Sequence, residues 1–147
     1  MKECFATEGI KVIRDDFMSI AKELGIGVET VSEDGVEALV FNVDGECGIY
    51  HASVVCLEAE SLFVCTINLG IKIAEEKLTE AAAYLLGRNY NYIFASANID
   101  PESRLALTRC PIVVRGSDEE RRDLIRAAMY QASAMADAEY KGIAAFV

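Results

Sequence analysis

From Ile10 onward, Ile13, Phe17, Ile20, Ala21 and Leu24 recur every three or four positions, the spacing of one face of an amphipathic helix. Gly25 and Gly27 close the run, as glycine does where a chain leaves a helix. The period then shortens. "VETV", "EALVFNV", "GIYHASVVCL" and "LFVCTINL" are β-rich runs, and "SEDG", "DGE" and "EAES" between them are turn-formers, so this region predicts a meander of three or four antiparallel strands.

Helical spacing returns in "AEEKLTEAAAYLLGRN", where Ala74, Leu78, Ala81 or Ala82, and Leu85 share a face. Glu75 and Glu76 lie in its first turn, where the helix dipole favours acid. Two strands follow, "YIFASANI" and "RLALTRCPIVV", joined by the turn "DPES". A last helix opens with Ser117 and Glu120 in capping-box spacing and carries Ile125, Ala128, Met129, Ala132 and Ala136 on its inner face. The order α-β-β-β(-β)-α-β-β-α predicts an α+β domain, an antiparallel sheet with flanking helices.

Alternation along the strands adds a constraint. Leu39, Phe41 and Val43 fall on one face and Ala38 and Val40 on the other; Phe63, Cys65, Ile67 and Leu69 oppose Leu62 and Val64. A half-exposed strand would be polar on its second face. Here part of that face also avoids water, so a helix, a second subunit in a two-fold homodimer, or both are expected to cover it.

Composition changes this picture little. With 52% apolar and 26% charged residues in 147, the chain has enough apolar side chains for one ordered domain spanning 1–147. Charge is more informative. The net charge of -10 is concentrated in residues 1–60, which carry -9 of it. Such a surface repels phosphates, so neither nucleic acid nor an anionic membrane is expected as a partner. The five cysteines, Cys4, Cys47, Cys56, Cys65 and Cys110, form no CxxC pair and mostly sit in apolar runs. They predict packing rather than metal ligation or disulfides, and no cofactor. "MKECFATEGIKVIRDD" lacks the apolar core of a signal peptide, and no apolar run has the length of a membrane span, so a cytoplasmic protein is expected.

Catalytic chemistry has little to build on. His51 is the single histidine; it lies mid-strand with Ser53 on its face, but no nucleophile elbow accompanies them. Asp15 and Asp16 are adjacent on a helix and predict a solvated patch. Arg121, Arg122 and Arg126 interleave with Glu119 and Asp123 as a salt-bridged helix face. The expectation is a protein that is not an enzyme.

"LLGRNYNYIFASANID" (85–100) concentrates Arg88, Asn89, Asn91, Tyr90, Tyr92 and Phe94. Gly87 and Arg88 read as the last helical turn, with Asn89 and Asn91 easing the exit. Tyr90, Tyr92 and Phe94 then read as one strand face, an aromatic cluster sealing the helix–sheet corner or, with Arg88, a lip for a peptide.

The helix ending in "KELG", the meander, "AEEKLTEAAAYLLGRNYNYIFASANID" and "RLALTRCPIVV" before a capped helix together resemble the YbjN-like family over Asp15 to Tyr140. The resemblance implies a bacterial protein with a fold related to that of type III secretion chaperones. Members are described as sensory-transduction regulators, and the related chaperones are small acidic homodimers that hold extended segments of a client. It therefore implies a non-enzymatic, chaperone-like or regulatory protein that binds a protein or peptide client. Candidate contacts are Arg88, Tyr90, Tyr92 and Phe94, then Phe63 and Ile67 on the sheet. The alternative is a small-ligand sensor with an apolar pocket between the sheet and the last helix.

Overall fold

The computed structural model describes residues 11–147. Cys4, Ile10 and most of the N-terminal stretch that lacks a signal-peptide core lie outside them. Helix α1 (Val12–Glu23) is followed by β1 (Glu29–Glu33), β2 (Val36–Asp44), β3 (Ile49–Leu57) and β4 (Leu62–Lys72). Then come α2 (Leu78–Asn89), β5 (Ser96–Ile99), β6 (Leu105–Val113) and the long α3 (Asp118–Ala144). The strands form one six-stranded sheet in the order β1-β2-β3-β4-β6-β5, every neighbouring pair antiparallel. The meander thus has four strands.

Local chemistry accounts for the joints. Helix α1 ends in a Schellman motif: Ile26 N–H donates to the Ala21 carbonyl and Gly25 N–H to that of Lys22, with Gly25 at φ +70°. Its start is held differently. Lys11 supplies no side-chain cap; the Glu58 carboxylate, from the β3–β4 connection, accepts from the N–H groups of Ile13 and Arg14, each at 3.0 Å. Between β1 and β2, Asp34 and Gly35 both take positive φ, 51° and 78°, the type I′ geometry of a two-residue hairpin. The box at α3 forms as the sequence predicts, with Ser117 and Glu120 bonding each other's backbone N–H.

The inner sheet face and helices α1 and α3 make the core. Phe17 of α1 meets Phe41 and Phe63 with ring centroids 5.5 and 5.9 Å apart. Ala128, Ala132 and Ala136 of α3 are fully buried, and such small side chains let a helix lie close to a sheet. Thr108 of β6 uses that closeness, donating its hydroxyl to the Ala132 carbonyl at 2.8 Å. Helix α2 packs beside β5, and its Tyr84 stacks on Phe146 beyond the end of α3.

Two expectations about charge need correction. Asp16 is not solvated: it is buried and accepts from Arg121 Nε at 2.8 Å, while Asp15 stays exposed. The arginines of α3 likewise do more than pair along their own helix. Arg122 reaches Ser19 and Glu23, and Arg126 reaches Glu23, so this row clasps α1 to α3. Helix-face spacing alone shows only partners within the same helix.

Candidate binding surfaces

With α1 and α3 on one face of the sheet, the other carries no helix among the described residues. Its central positions are Ala38, Val40 and Asn42 on β2, His51, Ser53 and Val55 on β3, and Val64, Thr66 and Asn68 on β4. None is a carboxylate, Lys or Arg, in a chain of net charge -10. The registers sort them into two ends. Val55, Val64 and Pro111 lie side by side, as do Leu57, Leu62 and Val113, giving an apolar end. Asn42, His51, Asn68 and Leu107 form a row at the other end.

That second row floors an open groove of about 680 Å³, which Ser53, Thr66 and Val40 also line and the Gly27–Glu29 segment borders. Within it, His51 Nδ1 and Asn42 Oδ1 are 2.9 Å apart. The imidazole is therefore held by an amide, where an acid–base relay would use a carboxylate. Asn42, Thr66 and Asn68 were not singled out from sequence. The available signal was a pair of asparagines interrupting otherwise apolar strands, at outward positions in "EALVFNV" and "LFVCTINL".

The Arg88–Phe94 stretch differs from its sequence reading. β5 begins at Ser96, so Tyr90, Tyr92 and Phe94 do not share a strand face. Asn91 and Tyr92 N–H groups donate to the Arg88 and Asn89 carbonyls, which carries the chain out of α2 through tight turns. The Asn89 amide is then used on β5: its Oδ1 accepts from Ala97 N–H at 2.7 Å and its Nδ2 donates to the Ala97 carbonyl at 3.0 Å. Between these anchors Tyr90, Asn91, Ile93 and Phe94 are exposed, while Tyr92 is half-buried and Ala95 buried.

The side chains from Arg88 to Phe94 divide into two groups. Arg88 Nε donates to both oxygens of Glu139, at 2.7 and 2.9 Å, and the Tyr92 hydroxyl donates to the same carboxylate at 3.1 Å. Glu139 is only 1% exposed, so its charge is met by these two partners. Hydrogen bonding to Glu139 raises the Arg88 pKa further above its ordinary value, and burial followed by the Glu139 charge raises that of Tyr92. Tyr90, Ile93 and Phe94, by contrast, are 92%, 90% and 62% exposed.

Phe63 and Ile67 cannot contact a partner from where they sit. Both are fully buried on the inner face of β4. Period-two alternation pairs them correctly but does not say which face is covered. The proposed sensor pocket meets the same obstacle: Ile125, Ala128, Ala132 and Met135 of α3 are packed without exposure against that face, and the groove described above lies on the opposite side.

The thiols are spread across the fold. Cys65 lies directly across from Cys110, both fully buried. Burial, then the charge of Cys110, pushes the Cys65 thiol up to about 12; burial, then Glu58, does the same for Cys56. Among the described residues, no His, Cys, Asp and Glu side chains gather in a group of three or more able to hold a metal ion, and no helix is long and apolar enough to cross a membrane.

An open six-stranded antiparallel sheet with helices on one face defines the class, a mixed α+β fold of YbjN-like form. No protein-family model matches the chain, and no curated protein matches its sequence. Among solved structures, the fold is similar to that of the protein described as "YbjN, a putative transcription regulator from E. coli", with a TM-score of 0.61, 13% identity, and coverage of 87% of this chain and 91% of that one. At this identity the likeness is one of fold.

Proposed function

We propose that this chain is a non-catalytic binding protein that acts as a homodimer and holds an extended segment of a partner protein, in a chaperone-like or regulatory role. The observation that carries this reading is the helix-free sheet face, uncharged at its centre and apolar at one end. The acidic charge, -9 of it in residues 1–60, opposes association of two copies through the surfaces of that half of the chain. Two copies meeting through Val55, Leu57, Leu62 and Val64 would bury exposed apolar surface, with Arg109, beside Thr66 on the same face, and Glu60 of the β3–β4 turn at its margin. The fold likeness to a protein described as a regulator accords with a binding role. Partner contacts then fall on the periphery of the sheet, either at an open edge or at the lip of Tyr90 and Phe94 that Arg88 and Tyr92 anchor.

Light scattering on the purified protein and on Val64→Glu tests the first half. The native chain should have twice the chain mass and the variant the mass of one chain, with the same far-UV circular dichroism. A native monomer would remove the dimer from the proposal. Tagged co-purification from the source cells tests the second half, through a partner recovered in stoichiometric amount whose bound segment can be mapped.

A second reading rests on the 680 Å³ groove, whose size suits a small ligand and whose amides and hydroxyls could orient one. It makes the protein a small-molecule sensor. Dialysed protein would then gain thermal stability from a metabolite, and Asn68→Leu would abolish the gain.

A further inference from the structure

The two edges of the sheet are not equivalent. At β5, the outward-facing N–H and carbonyl of Ala97 are already taken by the Asn89 amide. At β1, no strand lies beyond Glu29–Glu33 among the described residues, and all five of its residues are exposed. Hairpin geometry settles which backbone groups are free. With a two-residue turn, Glu33 and Val36 form a hydrogen-bonded pair, and so in alternation do Val31 with Ala38 and Glu29 with Val40. The N–H and carbonyl groups of Thr30 and Ser32 therefore point away from β2 and are open to a further strand.

The side chains around this edge say what would fit. Glu29, Val31 and Glu33 alternate on the helix-free face, and neither acid makes an ion pair among the described residues. On the helix side, a groove of about 540 Å³ runs beside the start of the strand, lined by Met18, Ala21, Ile26 and Val28 with Ser19 and Lys22. Val28 borders both this groove and the one on the opposite face. A strand laid against β1 would thus find backbone partners, room for apolar side chains on one side, and two carboxylates on the other.

We infer that the β1 edge takes up an extended partner segment with basic residues at two alternate positions, an apolar residue between them, and at least one apolar side chain turned towards Met18 and Ile26. The inference rests on the segment-binding reading above and names its site and client chemistry. The backbone supplies affinity, while the groove and the acids select among segments. A second copy of this chain is disfavoured at the edge. Antiparallel self-pairing about Val31 would set Glu29 of one copy opposite Glu33 of the other, and like charges directly across a strand pair are destabilising.

The test uses the full-length protein and three fluorescein-labelled peptides built on Gly-Ser-Lys-Leu-Val-Thr-Arg-Ser-Gly. They differ only in whether the Lys and Arg positions hold the basic pair, two serines or two glutamates. Anisotropy titrations at low salt should rank the peptides basic, neutral, acidic, with roughly tenfold between steps, and the ranking should flatten as salt screens the charges. Glu29→Lys with Glu33→Lys should reverse the order. Thr30→Pro removes an N–H that β2 does not use, so the sheet should persist while all three peptides lose binding. Basic-peptide binding that survives Thr30→Pro and ignores the charge reversal overturns the β1 assignment but leaves segment binding standing. Failure of all three peptides on the native protein overturns it too; a partner segment mapped elsewhere by co-purification would then preserve the broader reading, and recovery of no partner would end both.

Discussion

Helix α1 forms a wall of the groove beside β1, yet its N-terminus is capped from a distant part of the chain, and this arrangement yields a sharp prediction. In Glu58→Ala, the N–H groups of Ile13 and Arg14 lose the two carboxylate oxygens that accept from them at 3.0 Å. Lys11 has no side-chain cap to replace them. Loss of an N-cap costs ~1–2 kcal/mol and loss of an anion at a helix N-terminus a further ~0.3–1 kcal/mol, so about 2 kcal/mol is expected. For a chain of this size that lowers the melting temperature by about 4–8 °C. Glu58→Gln keeps one acceptor and no charge, and should fall near half that loss. Urea titrations at a fixed protein concentration would measure it, with Glu60→Ala as the control because Glu60 is exposed in the same short turn. Amide exchange at Ile13 and Arg14 should accelerate only in the Glu58 variants. If Glu58→Ala and Glu60→Ala unfold within ~0.5 kcal/mol of each other, the distant cap contributes nothing and the reasoning fails.

Three further outcomes follow from the same structure. Asn89→Ala should cost about 1–2 kcal/mol and speed amide exchange at Ala97, because both hydrogen bonds to the edge of β5 go with the side chain. Gly45→Ala should destabilise by about 1–3 kcal/mol and change the near-UV spectrum, since a Cβ there runs into the buried Tyr50 ring and crowds Asp137, which accepts from Tyr50 and from Glu46 N–H. In alkali, Cys56 and Cys65 stay protonated in the folded chain up to about 12, whereas the unfolded chain ionises its thiols near 9.0. Their contribution is therefore complete below pH 9 and lost as the pH rises towards 12, and the Tyr50 pKa, raised chiefly by burial, acts in the same direction. A urea midpoint that holds steady above pH 9 would contradict this.

Local signals in the sequence translated well into local structure. Asp34-Gly35 made its hairpin, Gly25 its helix end and Ser117 with Glu120 their box, because each depends on residues a few positions apart. Strand alternation sorted Leu39 from Ala38 and Phe63 from Leu62 for the same reason. Contacts formed across long separations were not legible. Nothing near Glu58 announces that it caps a helix 45 residues earlier, and nothing in "EERRDLIR" names α1 as its partner. The Tyr90–Phe94 stretch shows a further limit. Its aromatics favour a strand, but the Asn89 amide fixes where β5 starts, and that bond exists only once helix and sheet have met. The same dependence hid the groove: Asn42, His51 and Asn68 become neighbours only when three strands take their registers.

The Asn89 staple also bears on how far assembly can run. A sheet open at both edges can be extended by copy after copy, which leads towards fibres. Here one rim is blocked at Ala97 by a side chain of the protein itself, and the other carries acids that repel a second β1. Lengthening of the sheet is thus hindered at β5 and meets a barrier to self-propagation at β1. A segment added at β1 makes a finite complex, one strand per chain, and opening the closed rim with Asn89→Ala would put that limit at risk.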